Sequence, residues 1–95
     1  SRKQLRGVIS LVDARHDPSA DDIQIYEILH NYKIKNMLVA SKSDKISKSK
    51  FNKFEANIKR TLGFDAAESS FQFFSSETKY GKDQVWAWIE AHMAM

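Results

Sequence analysis

The chain repeats one arrangement three times: a short apolar run, a polar break, and a segment whose apolar residues have helical spacing. The apolar runs are 7–12, 36–40 and 71–74. Their near-continuous apolar character is typical of strands that are buried on both faces of a parallel sheet. Three consecutive strand–helix units therefore predict an α/β fold, a three-layer sandwich in which helices and right-handed crossovers cover a parallel sheet.

The segment after each polar break carries signals for a helix. Ser19 and Asp22 form a plausible capping box just after Pro18. Ser47 is the expected N-cap of the second helix, and Gly63 is its expected C-terminal stop. In each predicted helix, we expect the residues at helical spacing to face the core. They are Ile25, Ile28, Leu29 and Tyr32 in the first helix, and Phe51, Phe54, Ile58 and Leu62 in the second. In the third helix they are Val85, Trp88, Ile89, His92 and Met93.

The polar breaks fall at the carboxyl ends of the predicted strands. They are residues 13–17, 41–45 and 75–81. Parallel strands end at the same edge of a sheet, and ligands of open α/β sheets bind beyond that edge. We therefore expect the three segments to share one rim and to form the binding site.

The second polar break offers a hydroxyl from Ser41, an ammonium from Lys42 and a carboxylate from Asp44. The carboxylate could accept hydrogen bonds from the N1–H and the exocyclic amine of guanine, each contributing about 1.5–3 kcal/mol. Adenine lacks this donor pair, and such a site can discriminate by roughly 10⁴. The Lys42 stem could lie along the base plane. The Ser41 hydroxyl could tie the loop to its neighbour.

These residues resemble the guanine-specificity loops of GTPases. Residues 41–44 are similar to the motif N/T-K-x-D, with Ser in place of Asn or Thr. Residues 74–76 resemble the second guanine-contacting loop. The turn formed by Ser75 and Ser76 could offer a backbone N–H to the base carbonyl. The resemblance assigns guanine-nucleotide binding to Ser41, Lys42, Ser43, Asp44, Phe74, Ser75 and Ser76.

Nearly all 95 residues resemble the EngB-type bacterial GTP-binding proteins. The stretches that carry this resemblance are 12–18 with Asp21 and Asp22, 42–46 leading into a Lys-rich helix, and 74–79 leading into Trp86. The resemblance implies a Ras-like P-loop GTPase domain with a six-stranded sheet, of which this chain would match the C-terminal three units. It also implies binding of GTP or GDP with magnesium, assistance in assembly of the large ribosomal subunit, and a link to cell division and septation.

Two GTPase motifs are missing from the sequence. There is no G-x-x-x-x-G-K-[ST] phosphate loop, since Gly81-Lys82 is followed by Asp83, and there is no D-x-x-G. These motifs hold the phosphates and magnesium in a GTPase. We therefore expect residues 1–95 to be the C-terminal part of a single G domain, without catalytic residues or metal ligands, and inactive in hydrolysis on its own.

The composition limits the kinds of site and the cellular location that can be expected for the chain. The absence of Cys excludes disulfides and Cys-based zinc sites, and no apolar run approaches the ~18 residues of a membrane span. The N-terminus does not resemble a signal peptide, so a cytoplasmic location is expected. A net charge of +3 permits an anionic partner such as RNA.

Several alternatives stay open. The chain could be a non-enzymatic basic α/β module that docks on ribosomal RNA or a ribosomal protein through the cations of its second helix. Asp13 and Arg15 could pair with each other or with a segment missing from the chain. Trp86 and Trp88 cannot share a helix face, so one is expected in the core and the other as a lid or interface residue. His16, His30 and His92 have no i,i+4 partner, and no metal site is predicted.

The first predicted strand also raises the question of self-association. In a Ras-like sheet, residues 8–12 would pair with a further strand that this chain lacks. No Pro or Lys blunts that edge. The isolated chain is therefore expected to self-associate.

Overall fold

The computed structural model describes residues 7–92, which form a three-stranded parallel sheet. The strands are β1 (Val8–Asp13), β2 (Asn36–Ser41) and β3 (Ser69–Phe73), and they lie in the order β1-β2-β3. In the register of the sheet, Ala40 lies between Val12 and Phe73. The predicted parallel sheet of three strand–helix units is confirmed.

Three helices complete the fold: α1 (Ala20–Asn31), α2 (Phe51–Leu62) and α3 (Lys82–His92). Two short 3₁₀ turns, Ser43–Lys45 and Lys48–Lys50, connect β2 to α2. Helices α1 and α2 pack on one face of the sheet, and α3 packs on the other. The predicted three-layer arrangement is therefore confirmed.

Each face of the sheet has its own apolar core. On the α1–α2 face, the buried residues are Val12, Ala14, Tyr26, Leu38, Ala40, Ile58, Leu62 and Phe73. On the α3 face, the buried residues are Met37, Val39 and Trp88. Strand β2 contributes to both cores, as expected for the central strand of an α/β sheet.

The predicted helix boundaries are mostly confirmed. The Ser19 hydroxyl accepts a hydrogen bond from the Asp22 N–H, and the Asp22 carboxylate accepts one from the Ser19 N–H. Gly63 ends α2 in the left-handed conformation, with φ of 69°. Ser47 is the N-cap of the 3₁₀ turn Lys48–Lys50, which leads directly into α2, and not of α2 itself. Its hydroxyl makes no capping hydrogen bond and contacts that of Ser49 instead.

The predicted apolar face of α1 is wrong in part. Leu29 is buried as expected, but Ile25, Ile28 and Tyr32 are exposed, and Tyr26 is buried in their place. The reason is that the Tyr26 hydroxyl has partners inside the fold, the Ser69 hydroxyl and the Asp65 N–H, each at 2.8 Å. A phenol that is satisfied in this way can be buried without the cost of an unpaired polar group.

The faces of α2 and α3 follow the prediction. In α2, Ile58 and Leu62 are buried. In α3, Trp88 is the core tryptophan and Trp86 is exposed. Met93 lies outside the described residues. None of the helices in the described part of the chain is both long and apolar enough to cross a membrane.

Candidate guanine-binding rim

The three polar segments meet at the carboxyl edge of the sheet, as predicted. The Ala14 N–H donates to the Ser41 carbonyl at 2.8 Å, and the Ser41 hydroxyl donates to the Val12 carbonyl at 3.0 Å. On the other side, the Ser43 N–H donates to the Phe74 carbonyl at 3.0 Å. The loop after β2 is thus tied to both neighbouring segments, although the Ser41 hydroxyl itself bonds strand β1 rather than the neighbouring loop.

A side-chain hydrogen bond fixes the carboxylate of this loop. Ser75 is fully buried, and its hydroxyl donates to Asp44 Oδ1 at 2.8 Å. The same hydroxyl accepts the N–H groups of Glu77 and Thr78, each at 3.2 Å. Asp44 Oδ2 lies 3.9 Å from the Lys45 ammonium. Since each carboxylate oxygen has two lone pairs, Asp44 keeps acceptor capacity for a ligand.

Lys42 has the left-handed backbone conformation, with φ of 61° and ψ of 34°. Residues other than Gly adopt this conformation rarely, and such residues are concentrated at binding sites. Here it turns the chain from β2 into the Ser43–Lys45 turn. The Lys42 side chain is exposed and lies two residues before Asp44 in the sequence.

The two serines of the turn after β3 differ in whether their backbone N–H group can face a ligand. The Ser75 N–H donates to the Tyr80 carbonyl at 3.1 Å, so it is already used within the loop. Ser76 is exposed, and within residues 7–92 its N–H has no protein acceptor. Of the two serines, Ser76 is therefore the one that can offer a backbone donor.

Gly81 closes this turn; the sequence places it at the end of the third polar segment but assigns it no role of its own. Its φ is 81°, and a Cβ atom at this position would lie 2.1 Å from the Phe73 carbonyl oxygen. A glycine is required both by the positive φ and by this close approach. The turn that presents Ser75 and Ser76 therefore depends on Gly81.

Asp13 and Arg15 pair with each other, which answers a question that the sequence left open. Arg15 Nε donates to Asp13 Oδ1 at 3.1 Å, and Nη2 donates to Oδ2 at 2.9 Å. The hydrogen bonds from Arg15 hold the pKa of Asp13 well below its usual range, and Asp13 raises the pKa of Arg15. The Asp13 carboxylate is thus occupied by its neighbour.

A groove of about 410 Å³ borders Asp44 on the α2 side. The Lys48 ammonium lies 4.8 Å from the Tyr80 ring centroid beside it.

Farther along α2, Lys59 pairs with Glu55 at 2.7 Å, and Arg60 donates to the Asn57 side chain. Some of the cations that could contact RNA therefore already have partners within the helix.

The sequence is similar over most of its length to EngB proteins. It is 73% identical to the probable GTP-binding protein EngB of Leuconostoc citreum, a match that covers 98% of this chain and 48% of that protein. The identity is 71% for EngB of Leuconostoc mesenteroides and 56% for EngB of Pediococcus pentosaceus. No protein-family model matches the chain.

Solved structures support the fold. The apo translation elongation factor SelB of Methanococcus maripaludis matches with a TM-score of 0.75 and 23% identity, over 90% of this chain and 19% of that one. SelB in complex with the GTP analogue GppNHp matches with a TM-score of 0.69 over 87% of this chain. The chain spans about half the length of the EngB relatives that it matches. The chain is therefore similar to about half of an EngB-type GTP-binding protein, which confirms the predicted resemblance.

Proposed function

We propose that this chain is the guanine-recognition part of an EngB-type GTP-binding protein. The observation that carries the proposal is the 2.8 Å hydrogen bond from the buried Ser75 hydroxyl to Asp44. It joins the two loops that the sequence assigned to the base, and it orients a carboxylate whose side chain is only 17% exposed. A carboxylate fixed before the ligand arrives loses less conformational freedom on binding.

Each rim residue then has a role in binding the base. Asp44 accepts the N1–H and the exocyclic amine of guanine, and the Ser76 N–H donates to the base carbonyl. The Lys42 stem covers one face of the base. Ser41, Ser43 and Phe74 hold the two loops at the right spacing through their backbone and hydroxyl hydrogen bonds.

The activity of a complete EngB-length protein is a further part of the proposal. GTP hydrolysis, magnesium binding and the phosphate contacts are assigned to residues outside this chain, because the phosphate-loop motif is absent from it. A role in assembly of the large ribosomal subunit, with ribosomal RNA or a ribosomal protein as partner, remains a prediction from the family resemblance. The same holds for the link to cell division and septation and for the cytoplasmic location.

Calorimetry with GDP, ADP and magnesium tests the proposal. An EngB-length protein that carries these 95 residues should bind GDP far more tightly than ADP. The 95-residue chain alone should bind GDP at least ~100-fold more weakly, because oriented N–H groups, a Lys and magnesium supply the phosphate contacts. Equal binding of GDP and ADP by the longer protein would contradict the assignment.

A further inference from the structure

Three potential metal ligands lie together at the edge of the sheet opposite the rim. His30 is in the last turn of α1, and Asp65 and Glu68 are in the loop that leads into β3. One ligand atom from each residue lies within 4.8 Å of the other two. His30 lies 35 residues before Asp65 in the sequence, and the guanine proposal does not require it to be close to Asp65 and Glu68.

The His30 ring has an unused nitrogen in this cluster. Nδ1 is buried and has no hydrogen-bond partner within residues 7–92. Its distance to Asp65 Oδ2 is 3.7 Å, which is too long for a hydrogen bond. By contrast, Nδ1 of His92 lies 3.1 Å from the Trp88 carbonyl oxygen. A buried polar atom without a partner is uncommon, and an absent ion is one explanation for it.

Hydrogen bonds and stacking hold the cluster in place. Asp65 Oδ1 accepts the Ala67 N–H at 2.9 Å, and the Asp65 N–H donates to the Tyr26 hydroxyl at 2.8 Å. The Tyr26 and His30 rings are stacked, with centroids 6.4 Å apart and planes 9° from parallel. These contacts occupy Oδ1 of Asp65 and leave Oδ2 facing His30.

The donor set selects a class of ion. One imidazole with two carboxylates suits zinc and related transition-metal ions, whereas Mg²⁺ and Ca²⁺ prefer oxygen ligands alone. A tetrahedral zinc ion with bonds of about 2.1 Å holds its ligand atoms roughly 3.4 Å apart. The observed separations are longer, 3.7 Å between His30 Nδ1 and Asp65 Oδ2 and up to 4.8 Å within the cluster, so binding requires the half-exposed His30 and Asp65 side chains to move closer together. We propose that His30, Asp65 and Glu68 bind a divalent transition-metal ion such as Zn²⁺.

The ion would link the end of α1 to the loop before β3. Three protein ligands leave a fourth position open for water or an external group. Because the ligands come together only in the folded chain, the ion would raise the unfolding temperature, and the rise would grow with the ratio of free zinc concentration to the dissociation constant.

Titration with Zn²⁺ of an untagged EngB-length protein that carries these 95 residues tests the site. We expect one ion per chain with a micromolar dissociation constant, and no competition from millimolar Mg²⁺. His30→Gln and Glu68→Gln should each weaken binding at least tenfold. His16→Gln is the matched control, because His16 is exposed on the loop after β1, and it should bind Zn²⁺ like the unaltered chain.

Two results would contradict the proposed zinc site. Absence of micromolar binding, or equal weakening by His30→Gln and His16→Gln, would overturn the proposal. Should His30→Gln fail to fold by circular dichroism, Glu68→Gln decides alone, because Glu68 lies in the loop before β3, outside the helices and strands. Unchanged zinc affinity in a folded Glu68→Gln chain would then reject a three-ligand site.

Discussion

The Ser75 hydroxyl donates a 2.8 Å hydrogen bond to Oδ1 of Asp44 and so joins the loops that follow β3 and β2. Ser75 is fully buried, and its oxygen also accepts two backbone N–H groups of its own loop. One hydroxyl therefore organises the turn after β3 and sets the orientation of the carboxylate across the rim. This arrangement makes the guanine proposal depend on Ser75 as much as on Asp44.

Ser75→Ala should reduce both stability and nucleotide binding. The substitution leaves the Glu77 and Thr78 N–H groups without their acceptor and Asp44 without its donor, at a cost of about 1–3 kcal/mol in unfolding free energy. In an EngB-length protein, GDP affinity should fall roughly tenfold, the equivalent of about 1.4 kcal/mol.

Ser76→Ala is the matched control for Ser75→Ala. The proposal uses only the backbone N–H of Ser76, so thermal unfolding and GDP titration should both resemble the unaltered protein. If Ser75→Ala bound GDP as tightly as Ser76→Ala does, the hydrogen bond to Asp44 would have no role in recognition.

Gly81→Ala should destabilise the chain more than Gly63→Ala. Both glycines have positive φ, 81° and 69° respectively. A Cβ at Gly63 meets nothing within 4 Å, so we expect a loss of about 1–2 kcal/mol in unfolding free energy from the backbone conformation alone. At Gly81 the clash with the Phe73 carbonyl adds to this loss. Denaturant unfolding of the two variants measures the difference, and equal losses would show that the turn can move away from β3.

The Asp13–Arg15 pair predicts a pH dependence. The pKa of Asp13 is lowered by its hydrogen bonds from Arg15, so the folded chain holds this carboxylate ionised more strongly than the unfolded chain does. The resulting stability is present above the ordinary pKa of 3.8 and is lost as the pH falls toward the lowered value. The difference in unfolding temperature between the unaltered chain and Asp13→Asn should therefore shrink between pH 5 and pH 2.5. A constant difference across this range would mean that the ion pair contributes nothing.

Much of the fold was predictable because each element has a local signal. Continuous apolar runs predicted the three strands, and the Ser19 capping box predicted the start of α1. The buried face of α1 was not predictable, because burial of Tyr26 depends on partners from β3 and the loop before it. Apolar spacing alone favoured Ile25 and Ile28, which the structure leaves exposed.

The site was predictable to a similar extent. The positions of Asp44 and Ser75 after neighbouring parallel strands predicted that they would meet at one rim, and they do. The role of Gly81 depends on a contact with the Phe73 carbonyl that no motif encodes. The approach of His30 to Asp65 likewise appears only in the folded chain, since helical spacing gives His30 no ligand partner.

The exposed edge of β1 should drive self-association of the 95-residue chain. Within residues 7–92, β1 pairs on one side only, and Leu11 on this strand is 67% exposed. An unpaired apolar edge is a template for another strand. Leu11→Lys should reduce dimers and aggregates in sedimentation experiments up to ~100 μM, whereas Tyr32→Lys, at an exposed apolar position away from the edge, should not. A monomeric unaltered chain at all concentrations would contradict this expectation.

The most direct test of guanine recognition is competition between GDP and xanthosine diphosphate for the Asp44→Asn variant of an EngB-length protein. The side-chain carbonyl of the new Asn can still accept the hydrogen bond from the Ser75 hydroxyl. The Asn amide N–H₂ then takes the place of Asp44 Oδ2 and faces the base. Loss of the charge-assisted bonds should weaken GDP binding about 10- to 100-fold. Xanthine carries a carbonyl where guanine carries an amine, so the variant should prefer xanthosine diphosphate. An unchanged preference for GDP would show that Asp44 does not contact the base.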